Sequence, residues 1–356
     1  MKITIAGIGN AGTTIGADLT RKGHEVTLLK TSNRLHNENY EALLRNRTIM
    51  VDDLDSSYQV TVADVTDDVE RAVSHADLII IYIQTNYHRA LIEKMAPFLH
   101  DGQTVLIEPG YLSTCYFMDR VSCDLTIIEA ESSPIDCRIV APGHVKVLFK
   151  NVLNPFGVYP LSHKEQAEKI LRELQYPFAF TSNVIEAALH NPNLIVHTIG
   201  AIFSIPRIEY TNGEYWMYRE VFTPHVWNVV EALDQEKMSV LEKLGCKRLP
   251  YVEACKLRNS LDKDEDALAV FRAYADHSSP KGPNIPDSRY ITEDVPEGLV
   301  MLESLGKILG IPTPTTTGLI NCASAALKTD FRENGRTVEA LGESNIKAII
   351  KEGLGQ

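Results

Sequence analysis

The chain has 356 residues, of which 44% are hydrophobic and 23% charged, and its formal net charge is -12. This composition excludes a disordered chain and allows two domains with separate hydrophobic cores. The acidic balance also argues against a surface that binds nucleic acid or anionic membranes, so we predict neither as a partner.

The first residues read as a strand rather than as a charged leader with an apolar core, and no run of about 18 apolar residues marks a membrane span. We therefore expect a cytoplasmic protein. Six cysteines are present, with no Cys-x-x-Cys pair and no zinc-type spacing with histidine. This pattern predicts free thiols and no metal site.

The first predicted unit is a strand, a helix and a second strand in the stretch "ITIAGIGNAGTTIGADLTRKGHEVTLLKTSNR". Hydrophobic periodicity and the stop at Gly23 predict the strands over 3–6 and 25–29 and the helix over 11–22. This order is typical of the βαβ unit that binds dinucleotides.

The turn after the first strand carries the spacing Gly-x-Gly-x-x-Gly. Gly7 allows a tight turn, Gly9 lets the backbone approach a pyrophosphate, and Gly12 brings the helix against the strand. Asn10 and Ala11 complete the loop, and the helix aims its first N–H groups at the anion. We therefore predict that these five residues bind the cofactor.

The second strand ends in Lys30 rather than in the acid that would accept hydrogen bonds from the NAD ribose. Thr31, Ser32 and Arg34 follow it, and cations with hydroxyls suit a 2′-phosphate. We therefore expect NADP(H) in preference to NAD(H), unless Lys30 and Arg34 are ordinary surface charges.

Further apolar strands are predicted over 76–84, 103–110, 125–130 and 144–150, with a helix between the first two. Their continuous apolar character predicts a doubly wound, Rossmann-like sheet that is covered on both faces. Ligands of such sheets bind at the carboxyl ends of the strands. This rule makes Gln84, Thr85, Pro109 and Gly110 candidate neighbours of the nicotinamide, with packing within the loops as the other role open to each.

From about Val184 onward helical periodicity replaces the strands, notably over 222–244, 265–276 and 295–309. We predict a Rossmann domain over 1–182 and an all-α substrate domain over 183–356. The stretch 278–290 is rich in Pro, Ser and Gly and is predicted to be an ordered loop between helices.

Hydride transfer to a C=O or C=N bond needs a proton donor, and histidine is the usual choice. On a helix, Asn193 and His197 would share one face among otherwise apolar residues. The residues alone leave His197 open between this role and that of a packed core histidine.

Four segments carry a resemblance to a known family: "GIGNAG", "NPNLIVHTIGAIF", "GPNIPDSRYITEDVPEGLVMLESLGKILGIPTP" and "TDFRENGRTVEALG". Together they resemble the opine dehydrogenases, which include octopine, nopaline and N-(1-carboxyethyl)norvaline dehydrogenases, and most of all the norvaline-type bacterial branch. The resemblance covers nearly the whole chain. It implies a helical domain similar to that of 6-phosphogluconate dehydrogenase.

The resemblance also implies an NAD(P)H-dependent condensation of an amino acid with an α-keto acid, followed by reduction of the imine. The family's catalytic histidine falls on His197, the aspartate that orients it on Asp294, and the carboxylate-binding arginine on Arg289. A substrate-site glutamate falls on Glu131, although an alignment on Glu129 is almost as good. Norvaline-type relatives have an acid where this chain has Lys30.

Two other functions remain open at this point. A ketopantoate-type reductase shares the layout but usually employs a lysine, and none occurs between Asn183 and Phe203. A non-catalytic NADPH sensor would have no need of a proton donor. We expect small-molecule substrates and a homodimer, while the sequence names neither the amino acid nor the keto acid.

Overall fold

The computed structural model describes residues 1–32 and 34–355. The described residues form two compact units, the first ending at Val184 and the second beginning at Ile185. The six cysteines all lie in the described residues, and none of them forms a disulfide there.

The strands of the described chain lie in the first unit. They are β1 (Lys2–Ala6), β2 (Glu25–Leu29), β3 (Thr48–Asp52), β4 (Ser57–Thr61), β5 (Asp64–Thr66), β6 (Leu78–Ile81), β7 (Thr104–Ile107), β8 (Thr126–Ala130), β9 (Ile135–Ala141), β10 (His144–Lys150), β11 (Asn154–Tyr159) and β12 (Phe178–Phe180).

An eight-stranded sheet forms the centre of this unit, in the order β12-β11-β8-β7-β6-β1-β2-β5. Its strands pair in parallel except for β11 against β8, and Ile5 of β1 lies opposite Leu28 and Ile80. Successive side chains of a strand point to opposite faces of the sheet, and aliphatic side chains are buried on both faces here. Both faces are therefore covered, as in a parallel sheet with helices on each side. The predicted doubly wound sheet is therefore confirmed.

The helices of the first unit connect these strands. They are α1 (Asn10–Arg21), α2 (Asn37–Asn46), α3 (Val69–Val73), α4 (His88–Met95), α5 (Thr114–Arg120) and α6 (Lys164–Leu174).

A second sheet of four strands, in the order β4-β3-β10-β9, was not foreseen. The predicted strand over 144–150 has the observed bounds, but it pairs with β3 and β9 rather than joining the main sheet. Strand β4 is at most half buried throughout, so it lacks the continuous apolar run that revealed the strands of the main sheet.

The second unit is helical in its described residues. Its helices are α7 (Val184–Leu189), which begins at the boundary, α8 (Asn193–Thr211), α9 (Met217–Glu220), α10 (Pro224–Lys243), α11 (Tyr251–Asn259), α12 (Ala267–His277), α13 (Arg289–Thr292), α14 (Val300–Leu309), α15 (Pro314–Leu327), α16 (Val338–Leu341) and α17 (Glu343–Gly353). A π-helical turn over Val295–Leu299 runs directly into α14.

Helix α8 is central to this unit, and its residues 194–201 are all buried. Gly200 allows the close approach of α9, because a Cβ there would lie 2.7 Å from the sulfur of Met217. Asn212 ends the helix in a left-handed conformation, with φ of 52°.

Candidate active site

The turn after β1 requires glycine at two positions for backbone reasons. Gly7 has φ of +118°, and a Cβ there would lie 2.3 Å from the carbonyl oxygen of Tyr82. A Cβ on Gly12 would lie 1.8 Å from the Gly7 carbonyl oxygen. Helix α1 therefore packs against the end of β1 with no room for a methyl group.

The N-terminus of α1 offers groups that fit a diphosphate. Gly9 immediately precedes the helix, and the first N–H groups of any helix have no intrahelical acceptor. The ring of His36 flanks this point, since a Cβ on Gly9 would lie 3.1 Å from its Nε2. Ala11 is half-buried in the first turn, whereas the Asn10 side chain accepts a hydrogen bond from Ile139 N at 2.8 Å.

Lys30 is buried and already engaged at the end of β2. Its ammonium donates to the carbonyl of Leu35 and to Oδ1 of Asn37 at 2.7 Å, and desolvation lowers the pKa of this lysine. It therefore fastens the loop that leads into α2. Thr31 and Ser32 are half-buried in that loop, and Arg34 is exposed.

Gln84, Pro109 and Gly110 follow strands β6 and β7, as predicted. Gln84 and Pro109 are half-buried, whereas Gly110 is buried. A Cβ on Gly110 would lie 1.9 Å from Oε2 of Glu129, so this glycine makes room for a carboxylate of β8.

Glu129 and Glu131, the two candidate glutamates, are both buried at the end of β8. The Glu129 carboxylate accepts hydrogen bonds from Leu112 N at 2.8 Å and Thr114 N at 2.7 Å. It therefore holds the turn after β7 in place. Since Glu129 has this structural task, Glu131 stays the substrate-site prediction.

Sequence reasoning missed a buried acid next to Pro109. Burial raises the pKa of Glu108 to about 8, and the Tyr82 hydroxyl donates a hydrogen bond to its carboxylate. Burial also raises the pKa of Tyr82 well above its usual value. Both residues immediately follow central strands, β6 and β7, and this position alone could have marked them as candidate site residues.

In the second unit, the structure brings His197 and Asp294 together. Nδ1 of His197 lies 2.8 Å from Oδ2 of Asp294, and both side chains are less than 10% exposed. Asp294 directly precedes the π-helical turn over Val295–Leu299, a rare conformation that is frequent at functional sites. Such a buried pair can fix the tautomer of the imidazole and stabilise its charged form.

Tyr290 is a third member of this group, and no pattern in the sequence pointed to it. Its ring stacks on that of His197, with centroids 3.6 Å apart and planes 6° from parallel. The imidazole is therefore fixed by a carboxylate at Nδ1 and by an aromatic face on one side.

Helix α13, which carries Arg289 and Tyr290, packs against α8. The Arg289 side chain is 56% exposed and lies 3.8 Å from Glu293, so its guanidinium reaches solvent next to the dyad helix. Asn193 begins α8 one turn before His197 and is half-buried.

His190 is a poor competitor for the proton-donor role. Burial, together with the positive charges of Lys237 and Arg258, lowers the pKa of this buried imidazole to about 2. It therefore stays neutral at physiological pH.

Within residues 1–32 and 34–355, no three His, Cys, Asp or Glu side chains are grouped so as to hold a metal ion. Within the same ranges, no helix combines the length and the apolar character that crossing a membrane requires.

Two family models match the two parts of the chain. The alpha-helical domain of the NAD/NADP octopine/nopaline dehydrogenases matches residues 180–327, which include His197, Arg289 and Asp294. A ketopantoate reductase PanE/ApbA model matches residues 3–108, which include the glycine turn.

Individual proteins match over nearly the full length. An opine dehydrogenase of Arthrobacter sp. is 25% identical, with 97% of this chain and 96% of that protein covered. The protein ocs of Agrobacterium tumefaciens is 24% identical over 98% of both chains. The solved structure of an octopine dehydrogenase with NADH and L-arginine has a TM-score of 0.77 at 18% identity, over 98% of both chains. That likeness shows the fold.

Proposed function

We propose that this chain, as a member of the opine dehydrogenase family, joins an amino acid to an α-keto acid and reduces the product with NAD(P)H. The amine adds to the keto carbon, water leaves, and a C=N bond forms. NAD(P)H, when bound, would supply the hydride for the imine carbon, while a proton goes to the nitrogen. The product is a secondary amine that carries two carboxylates.

The observation that carries this proposal is the pairing of His197 with Asp294 inside the matched helical domain. Because Nδ1 faces the carboxylate, we assign the exchange of the substrate proton to Nε2. The Asp294 charge stabilises the imidazolium, and the Tyr290 ring limits its rotation. A sensor that only bound NADPH would gain nothing from this pair.

Arg289 is the proposed ligand of one substrate carboxylate. A planar guanidinium holds a carboxylate by two parallel hydrogen bonds, which also orients it. Its exposed position on α13, beside Tyr290, fits a group that meets a substrate entering from solvent. Asn193 and Glu131 are proposed as further polar residues that bind the substrates.

For the cofactor, we propose NADP(H) ahead of NAD(H). Gly7, Gly9 and Gly12 would receive the pyrophosphate against the start of α1. Thr31, Ser32 and Arg34 would receive the 2′-phosphate in the loop that Lys30 fastens. In this proposal Lys30 shapes the binding loop rather than serving as its main cation.

The test is to incubate the protein with NADPH and pyruvate, with and without a mixture of L-amino acids. NADPH oxidation is followed at 340 nm and the product by mass spectrometry. We expect oxidation only when both substrates are present, with a product mass equal to amine plus keto acid minus one oxygen. Oxidation with the keto acid alone, giving a hydroxy acid, would favour the ketopantoate-type alternative that the match over 3–108 suggests.

A homodimer in the cytoplasm is also proposed, as expected from the sequence. Sedimentation velocity at assay concentration tests the dimer, and a single species near the chain mass of 39.7 kDa would contradict it.

A further inference from the structure

The second unit contains a cavity of about 410 Å³ between α9, the start of α10 and α12. Aromatic side chains dominate its lining. Phe271 lies at the centre of this aromatic group, with ring centroids 5.0 Å from Trp227, 5.5 Å from Phe222 and 6.2 Å from Tyr218. Leu268 and Ala275 add aliphatic surface from α12. The volume is in the range of small-molecule sites, and the lining favours an apolar ligand.

Three charged residues also line this cavity, and their arrangement disfavours a cation. Arg219 lies 3.5 Å from a carboxylate oxygen of Asp276 and also donates to its backbone carbonyl at 3.2 Å. Arg272 adds a second guanidinium. The lining therefore carries a net positive charge, and its one carboxylate is already paired with an arginine. An incoming ammonium or guanidinium group would meet repulsion without a carboxylate of its own.

One buried cluster contacts both the cavity wall and the residue that stacks on His197. Tyr218 of the cavity wall and Tyr290 of the His197 stack both pack against the same buried cluster, Ile208, Tyr215, Met217 and Val221. The wall of this cavity and the ring that stacks on His197 are therefore joined through one layer of packed side chains.

We infer that this cavity receives the side chain of the amino-acid substrate, and that it selects large uncharged side chains, aromatic or aliphatic, over cationic ones. The inference rests on the proposed function and deepens it. Burial of an aromatic or branched side chain against these rings excludes water and gains contact area. The amine donor would therefore differ in class from the L-arginine that accompanies the solved octopine dehydrogenase.

The first test fills the cavity with Ala275→Phe. Ala273→Phe is the matched control, because Ala273 lies on the same helix but is exposed and outside the lining. Donors are L-phenylalanine, L-alanine and L-arginine, each with pyruvate and NADPH. In the unmodified protein we expect kcat/KM in the order L-phenylalanine, L-alanine, L-arginine.

Ala275→Phe should lower kcat/KM for L-phenylalanine by about 10- to 100-fold and for L-alanine by less than about threefold. Ala273→Phe should change neither. Equal losses for both donors, or a preference of the unmodified protein for L-arginine, would overturn the inference. Ala275→Leu serves the same comparison if the larger side chain prevents folding.

A second test measures binding of the amino acid by tryptophan fluorescence, independently of enzyme activity. The chain has two tryptophans, and Trp216→Phe leaves Trp227, in the cavity lining, as the only tryptophan. With saturating NADP⁺, L-phenylalanine should change the emission of this variant, and Ala275→Phe should abolish the change. Absence of any change with L-phenylalanine would contradict the cavity assignment even if opines form. A change in emission without opine formation would support binding of L-phenylalanine in the cavity but would contradict the proposed function.

Discussion

Nδ1 of His197 lies 2.8 Å from Oδ2 of Asp294, although 97 residues separate them along the chain. The histidine comes from the middle of a buried helix, and the aspartate from the residue before a π-helical turn. Both side chains are almost fully buried, so water competes little for their hydrogen bond.

Asp294→Asn should lower kcat/KM by about 100- to 10,000-fold while folding and NADPH binding persist. An amide cannot stabilise the charged imidazole and can select the wrong tautomer. Steady-state kinetics give the loss, and cofactor titration by fluorescence checks that binding survives.

The double variant with His197→Ala should lose no more than the worse single variant, because the two residues act as one unit. A double variant that lost the product of the two single effects would contradict the dyad. Near-normal turnover of His197→Ala would make His197 a packing residue.

Tyr290→Leu should lower kcat/KM by roughly 2- to 10-fold, since an aromatic pair contributes about 0.5–1.5 kcal/mol beyond its buried area. Tyr290→Phe keeps the stacked ring and should stay within about twofold. Both variants are compared over pH 6–9, because looser orientation of His197 also changes the pH profile of kcat. If the two variants lost activity equally, the hydroxyl rather than the stack would matter.

Arg289→Lys should raise KM for one substrate by about 10- to 100-fold, although the charge is retained. A single ammonium cannot reproduce two parallel hydrogen bonds to a carboxylate. Separate titration of the keto acid and the amino acid identifies the affected substrate. Lys347→Arg, an exposed swap on α17, controls for general effects of such changes. Unchanged kinetics would make Arg289 a surface arginine.

Arg34→Ala should lower kcat/KM for NADPH by about tenfold or more and leave the value for NADH nearly unchanged, because only the 2′-phosphate needs this cation. Arg45→Ala, an exposed arginine of α2, is the matched control. Preference of the unmodified protein for NADH would reject the NADP(H) proposal before any variant is made.

Glu108 should make the first unit less stable as pH rises. The folded pKa of about 8 exceeds the ordinary value of 4.5, so between these values the native state holds a proton that the unfolded chain has lost. The free energy of unfolding then falls with pH, by at most about 1.4 kcal/mol per unit from this group.

Glu108→Gln mimics the protonated acid and should flatten this dependence, measured as the midpoint of thermal unfolding by circular dichroism at pH 5.5 and 8.0. Glu70→Gln replaces an exposed glutamate of α3 and should keep the slope of the unmodified protein. An equal slope in Glu108→Gln would show that the acid is already ionised in the folded state.

The main sheet was predictable because each of its central strands is a continuous apolar run that local sequence reveals. Four consecutive apolar residues, as in β6, predict a strand that is covered on both faces. Three glycines in a fixed spacing after a strand predict a phosphate-binding turn. The four-stranded sheet escaped prediction because β10 pairs with β3, far upstream, and periodicity holds no information on such partners.

The candidate site was predictable by residue type but not by arrangement. The resemblance brought out His197 and Asp294, and the fold sets them in hydrogen-bond contact. Lys30 looked like a phosphate ligand, yet a backbone carbonyl and Asn37 already hold its ammonium. The stack of Tyr290 on His197 depends on the position of the short helix α13 against α8, and residue spacing in the sequence does not predict that position.

The division of the chain into two units, each with its own core, has an evolutionary consequence. The glycine turn and the loop of Lys30 lie in one unit, while the dyad and the aromatic cavity lie in the other. In the proposed function, the choice of coenzyme therefore depends on residues of one core, and the choice of amino acid depends on residues of the other. A lineage with this architecture can diversify its products and its reductant along separate routes.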